Sequence, residues 1–485
     1  MSRLGTSGHC LLAPRIRPDL LDHNDEGTQP SELRVRRNEP ASSLRPACLS
    51  TRVRRARYTE CVGPVPRLLE SQVLWHSLLQ KDTRSDSMLE DYERLATGRD
   101  QSLFANDMRR HEAELRAAIQ DRRIAVVGAA GSIGSALVRR FMDFDPRQLT
   151  LIDLSENNLV ELVRDLRSQP EISLPDRLET LPIGLGSPEF TRLFADHEPF
   201  DYLFNLCAIK HVRSERDAYG IARMVDTNVL FLDELLAGLP YDLGHIFSVS
   251  SDKATAPASL MGASKFAMEL VLERNAHRHP YSTARFANVA YSEGSLLQGF
   301  LKRIEKSQPI AAPKGIRRFF MSHREAGELC LLSGVLGQNA EIFFPKLVSE
   351  RHEKSLPEIA VATLEKAGYE AVECESEIEA KERIGELLPA GRWPCYFSDS
   401  ETSGEKPFEE FHSSSDEVDR ERFESIGVIE SRPDEIDGDT VTAFFEFARR
   451  ARMDGASKSE YVEAFRALLG RFDHVETGRN LDQRM

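Results

Sequence analysis

The residues best suited to moving protons in this 485-residue chain lie close together. Ser251, Asp252 and Lys253 follow an apolar run at 246–249, and Met261 and Lys265 come after them, all within SVSSDKATAPASLMGASK at 248–265. An adjacent acid and amine can offer one general acid and one general base to neighbouring atoms of a single substrate. The residue types alone do not say which group takes which part. Met261 and Lys265 are four residues apart, one helical turn, so they should share a helix face beside the strand end that carries the pair. In an open α/β sheet the carboxyl ends of the strands are where ligands bind. The plain alternative for Asp252 and Lys253 is a solvated turn with a weak ion pair.

Such a stretch needs a strand before it, a helix after it and elements that bring a cofactor to both. Short apolar runs at 124–127, 149–152, 202–207 and 246–249 read as buried strands, with helical stretches at 135–141, 225–236 and 259–274. Strands of four to six apolar residues alternating with helices predict an α/β fold, a Rossmann-type doubly wound parallel sheet covered on both faces. The first strand runs into Gly128-Ala129-Ala130-Gly131-Ser132-Ile133-Gly134, and an acid, Asp153, ends the second strand nineteen residues after Gly134. Gly128 suits a tight turn, Gly131 a close approach of backbone to a pyrophosphate, and Gly134 a helix packed tightly on the sheet. The helix start, with Ser132 and Ile133, offers free N–H groups to phosphate. This combination predicts dinucleotide binding. The Asp153 carboxylate should take a ribose 2′-hydroxyl and repel a 2′-phosphate, which favours NAD over NADP. Its other reading is a helix cap, a part Ser155 could fill equally well.

Composition sets the limits. The formal net charge of −15 argues against a nucleic-acid partner. No window approaches the ~18 consecutive apolar residues of a membrane span, and the start lacks an apolar signal region, so a cytoplasmic protein is expected. Seven scattered cysteines without a CxxC pair fit a reducing compartment, and no His/Cys cluster has metal-ligand spacing. His277 and His279 flank an arginine before Pro280 and read as a solvated helix end.

Residues 1–85 are rich in Arg, Pro and Ser and predict a disordered tail or an artefactual extension. Residues 86–120 read as a helical lead-in that packs on the next domain or on a partner subunit. The cofactor domain is expected at 121–345, and a smaller C-terminal substrate-binding cap with helices at 346–485, which could equally form an oligomer surface. Within that cap, helices are predicted at 357–367, 373–386, 441–452 and 461–472.

Several ordered blocks together resemble one family. GAAGSIGS at 128–135, NLCAIKHV at 205–212, SSDKATAPASLMGASK at 250–265, ARFANVAYSEGS at 284–295, RRFFMS at 317–322 and GEKPFEEF at 404–411 are similar to those of extended short-chain dehydrogenases of the UDP-N-acetylglucosamine 4,6-dehydratase group. Asn205 and Leu206 stand where that group usually has His and Ala. The tyrosine common four residues before the lysine is Met261, whose thioether cannot exchange a proton.

The resemblance implies a reaction: NAD-dependent oxidation at C4 of a UDP-sugar, loss of the C5 proton, and departure of the C6 hydroxyl as water. It implies Lys253 as the C5 base, Asp252 as the acid at C6 and as the candidate for the 4-hydroxyl proton, and Ser251 as a hydrogen-bond partner of that hydroxyl. Lys265 would hold the nicotinamide ribose. Lys210 and His211 read either as a surface loop or as a loop beside the cofactor. Arg285 and Asn288 read as a buried strand-end network or as substrate contacts, and Arg317 and Arg318 as partners of the diphosphate. A homo-oligomer is expected. The rival readings are a sugar-nucleotide epimerase and a non-catalytic binder of NAD or a sugar nucleotide.

Overall fold

The computed structural model describes residues 83–347, 352–399, 409–431, 437–470, 472 and 474. All of these belong to the unit running from Pro64 to Met485. The tail predicted at 1–85 lies outside the described residues but for its last three positions, as do the first five residues of GEKPFEEF.

The lead-in is three helices rather than one: α1 (Thr83–Thr97), α2 (Ala105–Arg110) and α3 (Glu112–Ile119). The break follows Thr97, where Gly98 takes a left-handed φ of 67°. Arg99 then forks onto Glu325, with Nε–Oε1 at 2.8 Å and Nη2–Oε2 at 2.6 Å.

The main domain follows as β1 (Arg123–Val127), α4 (Ser132–Phe141), β2 (Gln148–Ile152), α5 (Glu156–Ser168), β3 (Arg177–Leu181), α6 (Pro188–Asp196) and β4 (Tyr202–Asn205). Next come α7 (Ala218–Val225), a π-helical turn at Asp226–Leu230, α8 (Phe231–Gly238), β5 (His245–Ser251), α9 (Leu260–Asn275), β6 (Tyr281–Phe286) and β7 (Asn288–Val289). Beyond these lie α10 (Leu296–Glu305), β8 (Ile310–Lys314), β9 (Arg317–Met321), α11 (His323–Leu336) and β10 (Glu341–Pro345). The chain closes with β11 (Glu353–Ser355), α12 (Leu356–Lys366), β12 (Glu370–Glu373), α13 (Glu377–Glu382), α14 (Ile384–Leu387), β13 (Arg392–Asp399), β14 (Glu417–Asp419), β15 (Ile426–Ser431), α15 (Gly438–Asp454) and α16 (Lys458–Leu469).

The central sheet has nine strands in the order β14-β15-β10-β6-β5-β4-β1-β2-β3. From β3 to β10 all neighbours are parallel, and β15 and β14 close that edge antiparallel. β1 and β2 are buried at every position, which is why they read as unbroken apolar runs. One core lies between the sheet and α4, α5 and α11. The other lies between the opposite face and α7, α8 and α9. The predicted doubly wound parallel sheet is therefore the observed one.

The strand predicted at 202–207 stops at Asn205. Its side chain turns back, accepting from Cys207 N at 3.3 Å and donating to Ser248 Oγ at 3.1 Å. The stretch read as helical at 373–386 begins as the end of β12. Residues 346–485 do not form one cap. β14 and β15 extend the main sheet, while β12 and β13 join β8 in a small parallel sheet packed on α12. Helices α15 and α16 lie on the α7–α9 face, where Arg449 and Arg274 both pair with the buried Asp233. His279 is not solvated. It is fully buried, accepting from Leu243 N at 3.1 Å through Nδ1 and facing the Leu236 carbonyl through Nε2.

Candidate active site

The glycine turn lies where the strand order reverses, between β1 and β4, the place such sheets bind ligands. Gly128 has φ of 79°, which a side chain adopts only under strain. A Cβ on Gly134 would sit 2.0 Å from the Gly128 carbonyl oxygen, so only glycine lets α4 start so near the turn. Gly131 caps α4 without a side-chain hydrogen bond, and the first amides of that helix, at Ser132 and Ile133, carry the positive end of its dipole. Asp153 accepts from Ala130 N at 3.0 Å and from Ser155 N at 2.9 Å. The cap of α5 is Ser155, so the capping alternative for Asp153 falls away. An uncapped helix start with a carboxylate beside it fits a dinucleotide's pyrophosphate and ribose.

The charged corner stands at the carboxyl end of β5. Ser251 turns the strand into a short 3₁₀ turn, accepting from Lys253 N at 3.3 Å and donating Oγ–H to Asp252 Oδ1 at 2.8 Å. Asp252 is buried, and Lys253 Nζ reaches its two oxygens at 3.0 and 3.2 Å. Burial works against the Lys253 charge, but the Asp252 and Glu409 carboxylates outweigh it and hold the ammonium above its ordinary range. The resting amine is thus protonated, whereas the C5 base that the resemblance implies must act without its proton.

α9 is pinned against this turn. A Cβ on Gly262 would lie 2.5 Å from the Lys253 carbonyl oxygen, so the helix approaches closely. Met261 is buried, and its amide donates to Glu215 Oε1 at 2.9 Å. One turn on, Lys265 is buried and donates to the Val249 carbonyl at 2.8 Å, and burial lowers it to about 8. Asn228, in the π-helical turn, bridges the backbone of Ile209 and Ser264 Oγ. Nothing in its sequence surroundings marks it. π-turns recur at functional sites.

The residue that sequence reasoning missed is Glu409. It enters from a segment 156 positions beyond Lys253. It accepts from Phe319 N at 2.9 Å and from Asn288 Nδ2, and lies 3.9 Å from Arg318 Nε. Burial and the neighbouring Asp252 carboxylate push it up to about 7. Two residues on, the Phe411 carbonyl accepts from Arg285 at 2.9 Å, and Arg285 is itself paired with the fully buried Glu269 at 2.9 Å. Arg285 is therefore part of a buried network that fixes this segment, and Asn288 is a direct partner of Glu409. Its signal was present in GEKPFEEF, but spacing alone cannot say which acid of the motif turns inward. Arg317 and Arg318 do not act together. Alternation along β9 turns Arg318 toward Glu409 and leaves Arg317 exposed against Glu353.

Lys210 and His211 sit beside the cofactor turn. Lys210 Nζ donates to Ser292 Oγ at 3.2 Å, the next residue, Glu293, donates its amide to Ser132 Oγ at 2.9 Å, and Gly294 lies so close to the His211 ring that a Cβ there would be 2.6 Å from Nε2. Burial lowers both, and for His211 the Lys210 charge adds to it. Residues 292–294 thus strap the start of α4 to the segment after β4.

A family profile described as polysaccharide biosynthesis protein matches residues 124–388, more than half of the chain. The chain belongs to the polysaccharide biosynthesis protein family. The family is of the extended short-chain dehydrogenase type, and the chain is also similar to a protein described as an uncharacterized membrane protein of Methanocaldococcus jannaschii. The two are 31% identical over 56% of this chain and 79% of the relative. Similarity to the capsular polysaccharide biosynthesis protein CapD of Staphylococcus aureus is 28%, over 46% of this chain but only 38% of CapD. Among solved structures, Pen from Bacillus thuringiensis shares the fold with a TM-score of 0.53 at 20% identity, covering 65% of this chain and 89% of Pen. No helix among the described residues is long and apolar enough to cross a membrane.

Proposed function

We propose that the protein is an NAD-dependent 4,6-dehydratase acting on a UDP-N-acetylhexosamine, with UDP-N-acetylglucosamine as the first substrate to test. The observation that carries this reading is the Asp252–Lys253 pair at the end of β5, with Lys265 held on the Val249 carbonyl of the same strand and Met261, one turn before it, able to supply no proton. Gly128, Gly131, Ser132, Ile133, Gly134 and Asp153 would hold NAD, whose nicotinamide supplies the means to oxidise C4 and reduce C6. Lys265, charged and buried, would hold the nicotinamide ribose.

Asp252 takes the 4-hydroxyl proton, with Ser251 orienting both, and later delivers that proton to the departing C6 hydroxyl. Lys253 removes the C5 proton once its own ammonium proton has gone. Arg318 and Asn288, which both engage Glu409, would contact the substrate, and a guanidinium suits a diphosphate. A 4-epimerase has no step that needs an acid beside an amine and gains nothing from Met261. A pure binder has no use for a buried carboxylate held against an amine at this corner.

The test is incubation of the purified protein with UDP-N-acetylglucosamine in deuterated water, followed by NMR of the sugar. A 4-keto-6-deoxy product carrying deuterium at C5 is expected. Recovery of a C4 epimer alone, or no turnover with NAD retained, would reject the reading.

A further inference from the structure

Tyr291 stands apart in its backbone. Its φ is 53°, in the left-handed region, where so bulky a side chain is an outlier. Gly294, three residues on, has a φ of 73°, which a glycine adopts freely. Between them lie the residues that reach the glycine turn. Ser292 accepts from Lys210 Nζ, and the Glu293 amide donates to Ser132 Oγ in the first turn of α4. Strained backbone gathers at ligand clamps and persists only where the surroundings over-determine it.

The surroundings of Tyr291 do so. Its ring is buried in a core shared by the small sheet, α10, α12 and α1. Its hydroxyl lies 2.8 Å from Thr363 Oγ1 on α12. Thr363 donates its own proton to the Ile359 carbonyl at 2.7 Å, which leaves its oxygen to accept from Tyr291. The Tyr92 ring of α1 packs on Tyr291, with 5.8 Å between centroids. α1 and α12 are joined in turn, because Lys366 Nζ meets Asp91 at 2.7 Å and lies over the Tyr92 ring. One residue before Tyr291, the Ala290 amide donates to the Met321 carbonyl at 2.8 Å, so the chain enters the turn from a fixed strand end. A glycine would take the same φ without strain, so shape alone does not account for a tyrosine here. What the side chain adds is attachment.

We infer that Tyr291 is the positioning residue that holds 292–294 over the coenzyme crevice, and that α1 and α12, through Tyr92 and Thr363, set how long the coenzyme stays bound. This role rests on the coenzyme site of the proposed reading and not on the dehydration. The ring sits in the small-sheet core, so Tyr291 acts through Ser292 and Glu293 rather than by touching the coenzyme. Ring and backbone are coupled: once the ring leaves its core, nothing holds φ in the left-handed region, and residues 292–294 relax away from Ser132 and Lys210. The lead-in and the small sheet thereby take part in coenzyme binding, although neither lends a residue to the glycine turn or to the charged corner.

The test measures release of NADH. Protein carrying NADH is mixed with excess NAD, and the fall in NADH fluorescence gives the release rate. Tyr291→Gly, which keeps the backbone shape and removes the anchor, should release NADH about 20-fold faster, with association changed less than about threefold. Tyr291→Phe keeps the ring and loses one hydrogen bond, so release should quicken by only about threefold. Trp393→Phe disturbs the same core away from the anchor; it should lower the melting temperature and leave release within about twofold of wild type. An unchanged release rate in Tyr291→Gly overturns the inference. So does a Trp393→Phe variant that releases NADH as fast as Tyr291→Gly, the mark of a core merely loosened. Should Tyr291→Gly fail to fold, Tyr291→Phe and Thr363→Val decide: each should hasten release by about threefold, and wild-type rates in both overturn the role. A wild type that binds neither NADH nor NAD rejects the coenzyme reading and this role with it, whereas tight binding with unchanged release in the variants rejects Tyr291 alone.

Discussion

The glycine turn after β1 and the charged corner after β5 stand at the same edge of one sheet and are built on different principles. The turn is made of backbone. Its demands are steric, met by residues six positions apart, and no titratable group need change state for it to work. The corner is made of charge, gathered from β5, β9 and a segment beyond residue 400. A steric site fails by not fitting, at any pH. A charge site fails by holding the wrong number of protons, and its failure depends on pH.

The largest contrast comes from breaking each in turn. Gly134→Val drives a side chain into the Gly128 carbonyl and should destabilise the protein by about 3 kcal/mol or more and abolish NAD binding. Thermal melting and NAD retention measure both. Lys253→Ala should instead leave NAD binding intact while C5 exchange falls by about 10³-fold. Full dehydratase activity in that variant would refute the base assignment.

A finer test separates stability from chemistry at Glu409. A carboxyl whose folded pKa is raised from 4.5 to about 7 contributes stability at low pH that is lost as pH rises between those values. Stability of Glu409→Gln relative to wild type should therefore improve from pH 5 to pH 8 by on the order of 3 kcal/mol, measured by denaturant titration at both pH values. No such trend is expected for Gly134→Val.

Smaller effects bear on single contacts. Asp153→Ala should weaken NAD by about tenfold and narrow the preference over NADP, read by titration with each cofactor. Met261→Leu should change turnover by less than about threefold, since a thioether moves no proton. A large loss there would show that the corner depends on more than its charges.

The same contrast explains what could be read before the fold was seen. Gly128, Gly131, Gly134 and Asp153 lie within 26 residues, and local spacing encodes both their strand and their turn. The strands at β1, β2 and β5 were legible because burial on both faces leaves an unbroken apolar run. β3 was not, because this edge strand is only partly buried and mixes Arg, Glu and Thr with leucine. The small β12-β13-β8 sheet escaped for a related reason: its strands carry charged ends, and β8 and β13 each hold a proline. Asp252 and Lys253 were legible as a pair, but not their state. The charge on Lys253 depends on Glu409, and nothing local links positions 253 and 409. Arg317 and Arg318 looked equivalent until the pleat of β9 sent them to opposite sides.

The strap at 292–294 bears on how the protein would be encountered in the laboratory. It fastens the first turn of α4 to the segment after β4, across the crevice where a dinucleotide lies in such folds. A coenzyme restored at the end of every cycle has no need to leave, and a clasp over its berth makes departure slow. The protein should therefore come off a column already carrying its coenzyme, visible in its absorption spectrum, and assays without added NAD should still proceed.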